Sequence, residues 1–213
     1  YCREMKSVSV ILDALPEVLQ LARDTLTSSE LEEAKVLAAM LTNRKTTKYA
    51  KNKLKSIVAR HPRRIFSYCI DEIQRLPRWT RNLIGYVSVY LEVLVKEMTF
   101  EFTNEKHARE RPLGQNVYNL KKLNIQRDLL DKLERYNSVF WNPAKHDIIT
   151  LPPGRRHRFT PIEAILAILI AVNLGEKIKS LSTFAREAVE TDFDRYSYSL
   201  RGRIRYHEET EGL

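Results

Sequence analysis

A chain of 213 residues with 43% hydrophobic and 30% charged residues is long enough to bury a sizeable core and too apolar for intrinsic disorder. The formal net charge of +9 directs attention to anionic partners, and only six glycines favour helices over hairpins. Two cysteines, Cys2 and Cys69, offer neither a disulfide framework nor a metal-ligand spacing, so a reducing, cytoplasmic setting is the expectation, and no signal peptide is read.

Hydrophobic periodicity predicts an all-α fold with helices at about 4 to 26, bent at Pro16, then 29 to 60, 62 to 76, 78 to 102, 114 to 140 and 161 to 190. Pro62, Pro77, Pro112, Pro143 and the pair Pro152 and Pro153 punctuate their ends. Residues 1 to 61 are expected to form a basic helical extension, 62 to 190 the bundle proper, and 191 to 213 a tail.

In the second helix, Ser29 and Glu32 have capping-box spacing, and Leu37, Leu41, Leu54 and Val58 supply a buried face. Between Glu33 and Asp71 there is no acidic residue, while Lys35, Arg44, Lys45, Lys48, Lys51, Lys53, Lys55, Arg60, Arg63 and Arg64 contribute +10, leaving the remainder of the chain at −1. Arg44, Lys48, Lys51 and Lys55 recur at steps of four, three and four, which stacks them on one side of a continuous helix. Such a stripe would bind phosphates by counterion release, or would be an ordinary solvated face; the lack of interspersed acids raises the first reading.

Further along, the apolar runs Leu83 to Met98 and Ile162 to Leu174 are too short or too polar to span a bilayer, the first being interrupted by Glu92 and Lys96. Thr160, Pro161 and Glu163 mark the start of the last long helix as N-cap, first-turn proline and reciprocal carboxylate. That helix is apolar on nearly all sides until Glu176, as a central bundle helix would be. In the tail, Tyr196, Tyr198 and Leu200 alternate before Arg201 and Gly202, and Ile204 and Tyr206 follow, so a short hairpin is expected there.

The stretch from Glu134 to Ala164 concentrates polar and aromatic chemistry between helices: Trp141, Asn142, Lys145, His146, Arg155, Arg156, His157 and Arg158. Asn142 to His146 form an N-x-x-x-H segment. On that segment and its helical context, over about residues 80 to 180, the chain resembles the HEPN superfamily of small helical bundles, whose motif is R-N-x-x-x-H. Trp141 stands where that family commonly has arginine. The resemblance implies an RNA-binding, metal-independent endoribonuclease, a toxin or antiviral effector acting as a homodimer and held in check by an antitoxin or regulator. The alternative it admits is a catalytically silent module that binds nucleic acid or serves as a scaffold; a second alternative is a purely structural or interaction protein whose basic face meets an acidic protein partner or a membrane surface.

The chemistry of these side chains fits metal-free RNA cleavage, which needs an acceptor for the 2′-hydroxyl proton, a donor for the leaving oxygen and cations for the growing negative charge. His146 and His157 are the candidate proton-transfer groups, since histidine titrates close to neutrality. Lys145, Arg155, Arg156 and Arg158 are candidates for phosphate contact, and Asn142 for orienting the phosphate or the histidine. Arg135 would replace the motif arginine only if the intervening backbone bends. Each has a plainer reading: Asn142 before Pro143 as a helix end, Phe140 and Trp141 as bundle anchors, the arginines as a solvated loop. No cofactor or metal site is expected, because the sequence lacks a phosphate-cradling glycine loop, a G-x-S-x-G elbow and any H-E-x-x-H or C-x-x-C pair.

Overall fold

Pro16 opens a helix rather than bending one: α1 runs Pro16–Thr25, where proline's missing N–H costs nothing because first-turn amides have no intrahelical partner. The computed structural model describes residues 14–60, 64–77, 80–145 and 158–188. It continues through α2 (Ser28–Leu41), α3 (Thr47–Ala59), α4 (Arg64–Arg75) and α5 (Thr80–Thr103), then a 3-10 turn at Lys106–Arg109. After these come α6 (Leu113–Lys122), α7 (Arg127–Tyr136), a π-helical turn at Asn137–Trp141, α8 (Pro161–Leu181) and α9 (Thr183–Arg186). The fold is all-α, with no strand among the described residues. The expected hairpin in the tail and the expected helix start near residue 4 lie outside them.

Three expected long helices are each divided, and side-chain chemistry accounts for the divisions. The one expected at 29 to 60 breaks between α2 and α3, where threonine and asparagine compete for backbone groups. Thr42 Oγ1 donates to the Ala39 carbonyl at 2.8 Å, Thr46 Oγ1 to Met40 at 2.9 Å, and Thr47 Oγ1 to Asn43 at 2.7 Å and Leu41 at 3.2 Å. The terminal carbonyls of α2 are thus satisfied without continuing the helix. The capping box of α2 uses Thr27 and Glu30 instead of Ser29 and Glu32, and Glu32 pairs with Lys35. The helix expected at 114 to 140 is split at Asn124 and Gln126, which take left-handed φ values of 55° and 41° and let α6 pack against α7. The last one stops at Leu181, after which the Ser182 hydroxyl accepts the Ala185 amide and starts α9.

The expected start of α8 is present in full: Thr160 Oγ1 accepts the Glu163 amide, and the Glu163 carboxylate accepts the Thr160 amide at 2.9 Å. Glu163 also accepts the Leu15 amide at 3.0 Å, tying α1 to α8. At the centre, α5 and α8 pack along one another, flanked by α2, α4 and α6. Both are buried on almost every side, α8 through Ile162, Ile165, Ile168, Leu169 and Ile170. Gly175 lets them approach, because a Cβ there would lie 2.5 Å from the Tyr90 ring. Helices on both sides of residue 61 contribute to one apolar core, Val18, Leu37 and Leu54 with Phe66, Leu94 and Ile168. Among the described residues, no helix is long and apolar enough to cross a membrane.

Candidate functional site

The stretch singled out in the sequence begins where α7 passes into the π-helical turn Asn137–Trp141. A π turn accommodates an extra residue, a feature frequent at functional sites. Here Phe140 and Trp141 are both buried and Asn142 is exposed. Tyr136 and Phe140 rings lie 5.0 Å apart, and Phe140 stacks on Phe159 at 6.4 Å. Trp141 is 4% exposed, and its indole N–H donates to Glu92 Oε2 at 2.5 Å. The other oxygen of that carboxylate holds Lys96 Nζ at 2.8 Å. Glu92 and Lys96 are 5% and 3% exposed. Carboxylate, ammonium and indole therefore satisfy one another inside the bundle, as buried charge requires. Trp141 is an anchor and presents no charge to a ligand.

Arg135, the other arginine near the segment, is committed elsewhere. Its guanidinium donates to Asp24 Oδ2 at 2.6 Å, and that hydrogen bond holds the Asp24 carboxyl below its ordinary range. Among the described residues, an arginine that reaches the segment is Arg81, in the first turn of α5: it donates to the Pro143 carbonyl and, at 3.4 Å, to that of Ala144. The same guanidinium lies 5.4 Å from the centre of the Phe159 ring, and neighbouring Thr80 Oγ1 donates to the Phe159 carbonyl at 2.8 Å. The first turn of α5 thereby grips both flanks of the segment 146–157. A cation there opposes the helix dipole, and its acceptors are carbonyls of the helical residues Pro143 and Ala144.

Of the predicted site residues in this stretch, Asn142 and Arg158 are exposed, and Lys145 is half-buried with Nζ 5.0 Å from the Trp141 ring centre. His146, Arg155, Arg156 and His157 lie outside the described residues. The basic stripe is rearranged, since the helix that was to carry it is two helices. Arg44 sits in the α2–α3 turn and Lys48 in the first turn of α3, both exposed. Lys51 donates to the Gln74 carbonyl at 2.6 Å, which draws it towards α4. Lys55 is half-buried, and Lys53 pairs with Glu33 at 3.5 Å.

Sequence reasoning missed Arg81, Thr80 and the role of Glu92 and Lys96. The last two were visible as an i,i+4 pair inside an apolar run, and Arg81 as a cation in a helix's first turn, where it asks for a nearby acceptor. Nothing local tied any of them to Asn142. Among the described residues no three His, Cys, Asp or Glu side chains converge in a way that would hold a metal ion. Compared with protein-family models, curated proteins and solved structures, the chain has no match in any of the three.

Proposed function

We propose that the protein binds RNA and cleaves it without a metal, with His146 as the proton-transfer group, Asn142 orienting the phosphate, and Lys145, Arg158 and their neighbours Arg155, Arg156 and His157 completing the site. The observation that carries this reading is the exposed Asn142 on the turn 142–145 beside Lys145, with that turn held in place through Arg81. An N-x-x-x-H segment used only to end a helix would need no such support from a cation set against its own helix dipole. The resemblance to HEPN proteins adds the rest: a homodimer that brings two segments together, and a role as toxin or antiviral effector with a regulatory partner.

The buried Trp141 favours a second reading, a silent HEPN-like module that binds nucleic acid without cutting it, because the side chain in the motif arginine's place cannot stabilise phosphorane charge. Incubating the purified protein with single-stranded RNA in the presence of a chelator separates the two. Cleavage leaving 2′,3′-cyclic phosphate ends, lost by His146→Ala while folding and RNA binding persist, is the expected result. Binding without cleavage across varied RNAs would establish the silent module, and normal cleavage by His146→Ala would end the role given to that histidine.

A further inference from the structure

The α2–α3 turn is held by its own side chains. Thr42, Asn43, Thr46 and Thr47 all turn their polar atoms onto backbone: the three hydroxyls onto carbonyls, and Asn43 Oδ1 onto the Lys45 amide at 3.0 Å. Backbone bonds from the Thr46 and Thr47 amides to the Asn43 carbonyl, both 3.0 Å, close the turn. Beside the exposed Thr42 and Asn43, the side chains facing solvent are Arg44, Lys45, Lys48 and Tyr49, the tyrosine 62% exposed. None of these three cations forms an ion pair among the described residues, whereas Lys35 and Lys53 on the flanking helices pair with Glu32 and Glu33. Lys48 stands in the first turn of α3, which has no acidic residue, so it also opposes the helix dipole.

We infer that this turn is a binding site for single-stranded RNA, in which Tyr49 stacks on an unpaired base and Arg44, Lys45 and Lys48 contact the flanking phosphates. The inference rests on the RNA-binding reading above and adds the form of the nucleic acid. Three uncompensated cations select a polyanion. An exposed aromatic ring among them has a use only where base faces are open, because duplex bases are already stacked on one another. The internally bonded turn fixes where the four side chains start, which lowers the ordering cost of binding. Tyr49 and Lys45 form no part of the stripe expected from helical spacing, and Lys51, which is part of it, is engaged with Gln74.

Fluorescence anisotropy with a mixed-sequence RNA oligonucleotide, alone and annealed to its complement, tests this directly on the full chain carrying His146→Ala to prevent cutting. Tyr49→Ala should weaken single-strand binding roughly tenfold and duplex binding little, with Tyr49→Phe close to the parent. Replacing Arg44, Lys45 and Lys48 by glutamine should weaken both forms and reduce the salt slope for the single strand by about 0.7 for each phosphate no longer neutralised. These residues are exposed, so thermal melts should match the parent and exclude misfolding as the cause. RNA binding unaffected by Tyr49→Ala, or weakened equally for both forms, overturns the stacking site while leaving RNA binding intact. Failure of the parent to bind either RNA, including the case where it binds only vesicles of anionic phospholipid, overturns both. Absence of cleavage by the wild-type chain bears on His146 alone and leaves this site standing.

Discussion

Charge is handled in opposite ways at the middle of α5 and at the α2–α3 turn. In α5, Glu92, Lys96 and Glu97 are buried among apolar side chains. Each has a partner: Glu92 has Lys96 and the Trp141 indole, and Glu97 accepts a two-pronged hydrogen bond from Arg109, with Nε at 2.8 Å and Nη2 at 2.6 Å. At the turn, three exposed cations form no ion pair among the described residues, on a backbone closed by threonine hydroxyls bonded to carbonyls. Buried charge must be matched by the fold, whereas exposed charge can be met by solvent alone. A count of charges along the chain sees both regions alike; only their surroundings set them apart.

The largest expected effect is on stability, from the buried side. Lys96→Met leaves the Glu92 carboxylate inside without its ammonium and should cost about 3 to 5 kcal/mol in urea unfolding, while Glu92→Leu with Lys96→Met should recover most of it. The glutamine triple at Arg44, Lys45 and Lys48 should stay within about 0.5 kcal/mol per site. If the two sets destabilised alike, the contrast between the regions would fail. Gly175→Ala tests how tightly the buried side is built. Its Cβ would meet the Tyr90 ring at 2.5 Å, an overpacking expected to cost about 1 to 3 kcal/mol, and pairing it with Tyr90→Leu should relieve part of that. A melt unchanged by Gly175→Ala would mean that α5 and α8 can separate freely.

The smallest effect concerns Glu101, a carboxylate between the two extremes. It accepts the Ser182 hydroxyl and the amides of Phe184 at 3.1 Å and Thr183 at 3.3 Å, placing negative charge at the start of α9. Partial burial pushes its carboxyl up, but the Ser182, Phe184 and Thr183 hydrogen bonds pull it further down, to below the ordinary glutamate range. A lowered folded-state value means stability that is present above the unfolded pKa and is lost as the pH falls through the folded one. Glu101→Gln should therefore cost about 1 kcal/mol near neutrality, with parent and variant converging as the pH drops below the usual glutamate range. A difference that held constant into acid would show that the charge of Glu101 plays no part.

The all-α class, the opening of α8 at Thr160 and the absence of a long apolar helix among the described residues were legible because each rests on local pattern: periodicity, a capping box, run length. The divisions at Thr42 to Thr47 and at Asn124 were not read, although residues 42 to 48 carry no apolar side chain and so interrupt the periodicity at the first of them. The deciding interactions there are short-range side-chain hydrogen bonds and left-handed φ values, which a hydrophobic pattern does not register. The site divides in the same way. Asn142 and Lys145 could be found by motif, but Arg81 lies 62 residues before Pro143 and meets it only in the folded chain. Trp141 illustrates the limit most plainly, because the Glu92 that explains it is 49 residues away.

The tethers from α1 and α2 to α8 govern how the protein can be taken apart. Asn173 Nδ2 reaches Glu30 Oε1 at 3.1 Å, the Leu15 amide reaches Glu163, and α2 covers one side of α8. A fragment that starts after α3 would open that greasy side to water and deprive α8 of both tethers, leaving a sticky surface prone to self-association. Shortened versions intended to isolate the segment around Asn142 would then report on aggregation, so testing its role calls for point substitutions in the intact chain.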